Sequence, residues 1–148
     1  MLKSHFDMKD LGETNFILGM KITKACNGIY LDQSHYIEKI LRKYNFRNHK
    51  SVATPFDSNV HLFPVNNDDE IFNQNDYASI IGSLRYATDC TRPDIAYAVG
   101  VLSRFTSKLS KDHWFAIERV MRYLTGTKNY GLFYKKYLTM IEGFSDAD

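Results

Sequence analysis

The stretch Asn15-Phe16-Ile17-Leu18-Gly19-Met20-Lys21-Ile22-Thr23 alternates residue by residue. Phe16, Leu18, Met20 and Ile22 fall on one side, and Asn15, Ile17, Gly19, Lys21 and Thr23 on the other. Successive side chains of an extended chain point to opposite faces, so a period of two predicts a half-buried strand over 15–23. Asn27-Gly28 follows, and both residues tolerate the positive φ of a tight turn. Ile29-Tyr30-Leu31 supplies the return strand, so this part of the chain reads as a β-hairpin.

Beyond the hairpin the period becomes helical. Ser34 can cap a helix that ends near Asn45, with Tyr36, Ile37, Ile40, Leu41 and Tyr44 as its apolar face. Residues 51–75 carry Pro55, Pro64 and the run Asn66-Asn67-Asp68-Asp69-Glu70, and they read as a loop. Such length is uncommon inside a compact domain, so the loop joins subdomains or makes a functional excursion. Asp76 can cap a second helix with Tyr77, Ile80, Ile81, Leu84 and Ala87 as its stripe. Gly82 inside it costs about 1 kcal/mol of helix propensity, which a close helix crossing would explain. Pro93 suits the first turn of a third helix, Asp94 suits its positive end, and Ile95, Val99, Leu102 and Phe105 form its stripe. A fourth helix from Ser110 to Leu124 buries Trp114, Ile117, Met121 and Leu124, and Gly126 can terminate it. Consecutive amphipathic helices with short links pack on one another. Tyr130 to Tyr137 turns aromatic and β-prone again, and Thr139 to Ser145 can pair with it. The chain stops after that strand at Ser145-Asp146-Ala147-Asp148, a pattern that reads as truncation. The fold class is α+β: an N-terminal β-hairpin, about four helices and a C-terminal β-hairpin.

Composition narrows the function classes. The 148 residues are 44% apolar and 24% charged, which are globular proportions. The longest apolar run, Ile95 to Leu102, is far short of the roughly 18 residues of a membrane helix. The first residues, Met1-Leu2-Lys3-Ser4-His5-Phe6-Asp7, lack the apolar core of a signal peptide, so the sequence reads as intracellular with no membrane partner. Cys26 and Cys90 form neither a disulfide framework nor a metal knuckle. The net charge of +2 hides three blocks: residues 1–50 hold 9 basic and 5 acidic groups, 51–80 hold 5 acids and no Lys or Arg, and 81–148 hold 10 basic and 7 acidic groups. Basic blocks of this kind can be set against a polyanion, or can be ordinary solvated surface.

Few residues can carry chemistry. The histidines His5, His35, His49, His61 and His113 lack ligand spacing and read as surface or packing residues. There is no glycine-rich phosphate loop and no Gly-x-Ser-x-Gly elbow. Asp146 and Asp148, two apart at a strand end, share a face and could hold Mg²⁺, or could be a polar terminus. Lys39, Arg42, Lys43, Arg47, Arg119, Arg122 and Lys128 lie on or beside helices, where they can meet a phosphate backbone.

Read in order, the motifs resemble the Pol polyprotein of copia-type LTR retrotransposons. The resemblance rests on Phe6-Asp7-Met8-Lys9-Asp10-Leu11-Gly12, Phe16-Ile17-Leu18-Gly19-Met20 and Gly28-Ile29-Tyr30-Leu31 with Tyr36-Ile37. It continues through Tyr77 with Ile81-Gly82-Ser83-Leu84, then Thr91-Arg92-Pro93-Asp94-Ile95-Ala96-Tyr97-Ala98-Val99 and His113-Trp114. It ends on Arg122-Tyr123-Leu124 with Gly126-Thr127, and Gly143-Phe144-Ser145-Asp146-Ala147-Asp148. Each motif is short, but together they span nearly the whole chain in order.

The resemblance implies a place inside a larger enzyme, between reverse transcriptase and ribonuclease H. Residues 1–33 would be the end of the polymerase palm with a primer-grip-like hairpin. Residues 34–128 would be thumb and connection helices with the acidic loop 51–75. Residues 129–148 would be a truncated start of the ribonuclease H domain, its hairpin beginning a ribonuclease H-like sheet. Asp146 would match the first ribonuclease H aspartate, a catalytic and metal-binding position in an incomplete site. Lys21, Lys39, Arg42 and Lys43 would contact nucleic acid. The parent would use Mg²⁺, whereas no cofactor is expected for this chain alone. Partners would be an RNA–DNA hybrid or template–primer duplex and the remaining parts of the polyprotein. The parent element would reside in a cytoplasmic particle or the nucleus. The family's Tyr-x-Asp-Asp polymerase motif does not occur in these 148 residues, so the chain reads as a non-catalytic gripping and connecting segment. A stand-alone nucleic-acid or protein interaction module, or a non-functional remnant, are the alternatives.

Overall fold

The computed structural model describes residues 12, 14–63, 73–106 and 109–136. The element order is β1 (Phe16–Ile17), β2 (Met20–Ala25), β3 (Gly28–Asp32), α1 (Ser34–Lys43), α2 (Gln74–Cys90), a 3₁₀ turn (Pro93–Ile95), α3 (Ala96–Leu102), α4 (Lys111–Thr127) and β4 (Gly131–Lys135). The fold is α+β, with one antiparallel sheet in the order β1-β2-β3-β4 beside four packed helices.

The opening stretch is not one strand. Ile17 pairs with Met20, leaving Leu18 and Gly19 as a two-residue loop with φ of 49° and 73°. Positive φ at both central residues matches the twist of a tight hairpin. Gly19 adopts it freely, whereas a leucine rarely does, which is why the alternation concealed the turn. The Leu18 carbonyl accepts a hydrogen bond from the Tyr86 hydroxyl of α2, which ties this turn to the helices. The second turn lies one residue earlier than predicted, at Cys26-Asn27, and neither residue takes a positive φ. Gly28 instead begins β3, where a side chain would collide with the Tyr134 carbonyl of β4.

The β3–β4 pairing joins residues about a hundred apart, from Gly28 opposite Lys135 to Asp32 opposite Gly131. The predicted partner of β4, residues 139–145, lies outside the described residues, as do Asp68-Asp69-Glu70. One sheet therefore contains strands from both the first and the last of the three expected segments.

The helices supply the core, and their stripes match the periodicity. Ile37, Ile40 and Leu41 of α1 are buried with Tyr77, Ile80, Ile81, Leu84 and Ala87 of α2. Ile95, Ala98, Val99 and Leu102 meet them, as do Ile117, Val120, Met121 and Leu124 of α4. Each fully buried aliphatic side chain contributes about 1.5–3 kcal/mol. Among the described residues no strand side chain belongs to this cluster, so the sheet sits half-exposed at its side.

The caps correct the sequence reading. Ser34 is the first helical residue, and the Asp32 carboxylate accepts from its backbone N–H at 3.0 Å and its hydroxyl at 2.6 Å. Asn73, not Asp76, caps α2 and accepts from Asn75 N–H at 3.0 Å. α1 ends as predicted near Asn45, whose φ is 63°, and Phe46 N–H reaches back to the Leu41 carbonyl at 2.7 Å. Gly82 faces open space, so no helix crosses there. Gly126 lies inside α4, and a Cβ there would sit 2.8 Å from the Ser51 Cβ; it admits the loop rather than ending the helix.

Candidate nucleic-acid interface

Arg92 is fully buried, and it fixes how the sheet end meets the helices. Its Nε donates to Asp94 Oδ1 at 2.9 Å and its Nη2 to Asp94 Oδ2 at 2.7 Å. Nη1 reaches the Thr127 carbonyl at 3.0 Å and Nη2 the Thr127 hydroxyl at 2.7 Å. The planar fork thus ties the start of α3 to the last turn of α4, and the rings of Tyr123 and Tyr130 lie 5.8 and 5.7 Å away. Burial pushes the Asp94 carboxyl up, but the Arg92 hydrogen bonds and charge, with the Tyr123 hydroxyl, outweigh it and hold it below its ordinary value. Beside this knot Thr91 donates to Gln33 at 2.9 Å, both side chains being buried. Arg92 was legible only as part of the Thr91-Arg92-Pro93-Asp94 motif. An arginine off every apolar stripe, with an acid two residues on and a proline between, was the available signal.

The loop over 50–57 is a strap held on α4. Arg119 bonds Thr54 at 3.0 Å and pairs with Asp57 at 3.4 Å, and Arg122 donates to the Lys50 carbonyl at 2.9 Å. Val52 and Phe56 pack against the core. Arg119 and Arg122, predicted as possible phosphate contacts, are therefore engaged within the fold.

Arg42, Arg47 and Lys128 converge on Glu38. Its carboxylate is 3.9 Å from Arg42, 2.8 Å from Arg47 and 3.6 Å from Lys128. α1, the turn after it and the end of α4 each contribute one cation, and the carboxylate neutralises only one of the three. Arg42 and Arg47 remain more than half exposed and Lys128 nearly so, which leaves their outer faces open to a polyanion. Exposed pairs of this kind add little stability, so their effect is to position charge. Periodicity does not reveal this convergence, because Lys128 is ninety residues from Glu38.

The four cations singled out by sequence separate. Arg42 joins the Glu38 patch. Lys43 is drawn toward α2, its ammonium 2.8 Å from the Tyr44 hydroxyl and 3.2 Å from Ser79. Burial raises the Tyr44 hydroxyl, but hydrogen bonds from Lys43, Ser79 and Ser83 and the Lys43 charge lower it overall. Lys39 is exposed on α1, opposite the buried Ile37 and Leu41. Lys21 lies on β2, opposite Phe16, whose ring is 5.8 Å from His35 at the start of α1. Asp146 and Asp148 lie outside the described residues. Among the described residues no group of three His, Cys, Asp or Glu side chains is placed to hold a metal ion. No described helix is long and apolar enough to cross a membrane.

Residues 1–58 match the family described as reverse transcriptase (RNA-dependent DNA polymerase). The chain is 40% identical to the retrovirus-related Pol polyprotein from transposon TNT 1-94 of Nicotiana tabacum, over 99% of this chain and 12% of that protein. It is 36% identical to the Pol polyprotein from transposon RE1 of Arabidopsis thaliana, over 99% of this chain and 10% of that protein. An uncharacterized mitochondrial protein of Arabidopsis thaliana is 33% identical, with 99% of this chain and 60% of that protein covered. The chain thus spans about a tenth of the polyproteins it matches. No solved structure matches. The order of motifs along the sequence and these likenesses agree: over almost its full length the chain is similar to one stretch of the Pol polyproteins of copia-type retrotransposons.

Proposed function

We propose that this chain grips a template–primer duplex and connects the polymerase and ribonuclease H parts of a retrotransposon Pol polyprotein, without chemistry of its own. The complete polyprotein would carry out RNA-directed DNA synthesis with Mg²⁺. The observation that carries the reading is the convergence of Arg42, Arg47 and Lys128 on Glu38. Three mostly exposed cations from separate elements, held by one acid, can meet phosphates of one duplex without refolding. Lys39, exposed on α1, Lys21 on β2 and Lys43 beside α2 would offer the duplex further positive charge. In this reading residues 1–33 end the palm, 34–128 form the thumb and connection, and 129–148 begin ribonuclease H, with Asp146 as its first metal-binding aspartate. Its catalysis would require carboxylates from the rest of the polyprotein, because a two-metal reaction needs several to fix its ions.

A salt titration tests the grip. Affinity for a labelled blunt RNA–DNA hybrid should fall linearly on a log–log plot against salt, because bound cations release counterions. Replacing Arg42, Arg47 and Lys128 together by Ala should lower the slope by about one unit per lost contact. An unchanged slope removes the patch from the interface.

A further inference from the structure

The far end of the sheet carries a second basic site, distinct from the Glu38 patch. Lys24, Ile29 and Tyr134 are directly opposite one another across β2, β3 and β4, so their side chains share one face. Lys136 follows two residues after Tyr134, and its N–H bonds the Asn27 carbonyl at 2.8 Å, which fixes it beside the β2–β3 turn. These residues, with Lys135 on the edge, line a groove of about 450 Å³. Tyr134 is 57% exposed. An open aromatic ring between lysines combines the two contacts that sequence-tolerant single-strand binding uses: a face for an unpaired base and cations for its phosphates.

We infer that this sheet tip binds single-stranded nucleic acid, with Tyr134 stacking on an unpaired base and Lys24 and Lys136 contacting the flanking phosphates. The inference rests on the nucleic-acid reading above and adds a strand type and a location to it: duplex on the helical patch, unpaired strand on the sheet tip. Bases within a duplex are already stacked and cannot use the Tyr134 ring in this way.

The test uses the full 148-residue chain, with anisotropy of a labelled oligothymidylate and of a blunt RNA–DNA hybrid measured in parallel. Lys24→Gln with Lys136→Gln should lower the single-strand salt slope by about 0.7 per lost contact and leave hybrid affinity unchanged. Tyr134→Ala should weaken oligothymidylate binding by about fivefold or more, and Tyr134→Phe should restore it, because the ring face is what acts. These side chains are exposed, and circular dichroism checks that the fold is retained. Unchanged oligothymidylate affinity in the double lysine variant or in Tyr134→Ala overturns the inference, as does a parent chain that binds only the hybrid. The Glu38 patch is judged separately, by whether its own triple variant loses the hybrid.

Discussion

Removing the Arg92 guanidinium should strongly destabilise the protein, although it touches neither proposed binding surface. In Arg92→Ala the hydrogen bonds to Asp94 and to the Thr127 carbonyl and hydroxyl vanish together. Breaking a buried ion pair from one side costs about 3–5 kcal/mol, because the partner is left charged and underpaired. Here Asp94 is 31% exposed and keeps the Tyr123 hydroxyl at 2.9 Å, so water and that bond recover part of the loss. The lower end, about 3 kcal/mol, is the expectation. Domains of this size have about 5–15 kcal/mol in total, so the change is a large fraction. Urea unfolding followed by Trp114 fluorescence is the assay. With a slope of roughly 1.5 kcal/mol per molar, the midpoint should fall by about 2 M. Asp94→Ala should cost at least as much, since it leaves the fully buried Arg92 charge with only its two neutral Thr127 contacts, and the double variant should show coupling of about 1 kcal/mol or more. The depressed Asp94 carboxyl adds a pH signature. Its contribution is present above the unfolded value near 3.8 and is lost as pH falls through the lower folded value. An Arg92→Ala midpoint within about 0.5 M of the parent would refute the assignment of Arg92 as the tie between α3 and α4.

Two glycines in helices should respond with opposite signs. Gly82→Ala, in open space, should stabilise by about 1 kcal/mol, whereas Gly126→Ala should destabilise because its Cβ meets Ser51, and adding Ser51→Gly should recover the loss; urea midpoints decide both. Buried His113 accepts from the Ser110 N–H at 3.1 Å through Nδ1, and burial holds its pKa below the usual 6.5, against the opposing charge of Asp112. The unfolded chain therefore binds this proton first, so stability should be level above about pH 6.5 and fall as pH drops below it; a flat profile between pH 7.5 and 5.5 would contradict the cap.

The helices were legible because burial in a helix is periodic. Tyr77, Ile80, Ile81, Leu84 and Ala87 were identified as a stripe from spacing alone, and all are buried. Caps and turns were less legible, because they depend on single backbone conformations. Ser34 and Asp76 have good capping side chains, yet Asp32 and Asn73 hold the relevant N–H groups. Leu18 broke the expected rule outright by taking a positive φ. Of the candidate site, individual cations were visible, but their grouping was not.

Local chemistry in the sequence determined the helical stripes, the presence of a hairpin, the α+β class and the ordered motifs that carry the likeness to retrotransposon Pol polyproteins. Each of these depends on residues within a few positions of one another. Tertiary structure alone decided that β4 pairs with β3, that Arg92 is buried between α3 and α4, and that Lys128 meets Arg42 and Arg47 at Glu38. Those contacts bring together residues tens of positions apart. They form where packing of the apolar stripes brings particular polar groups within a few ångströms, and no local period encodes that distance.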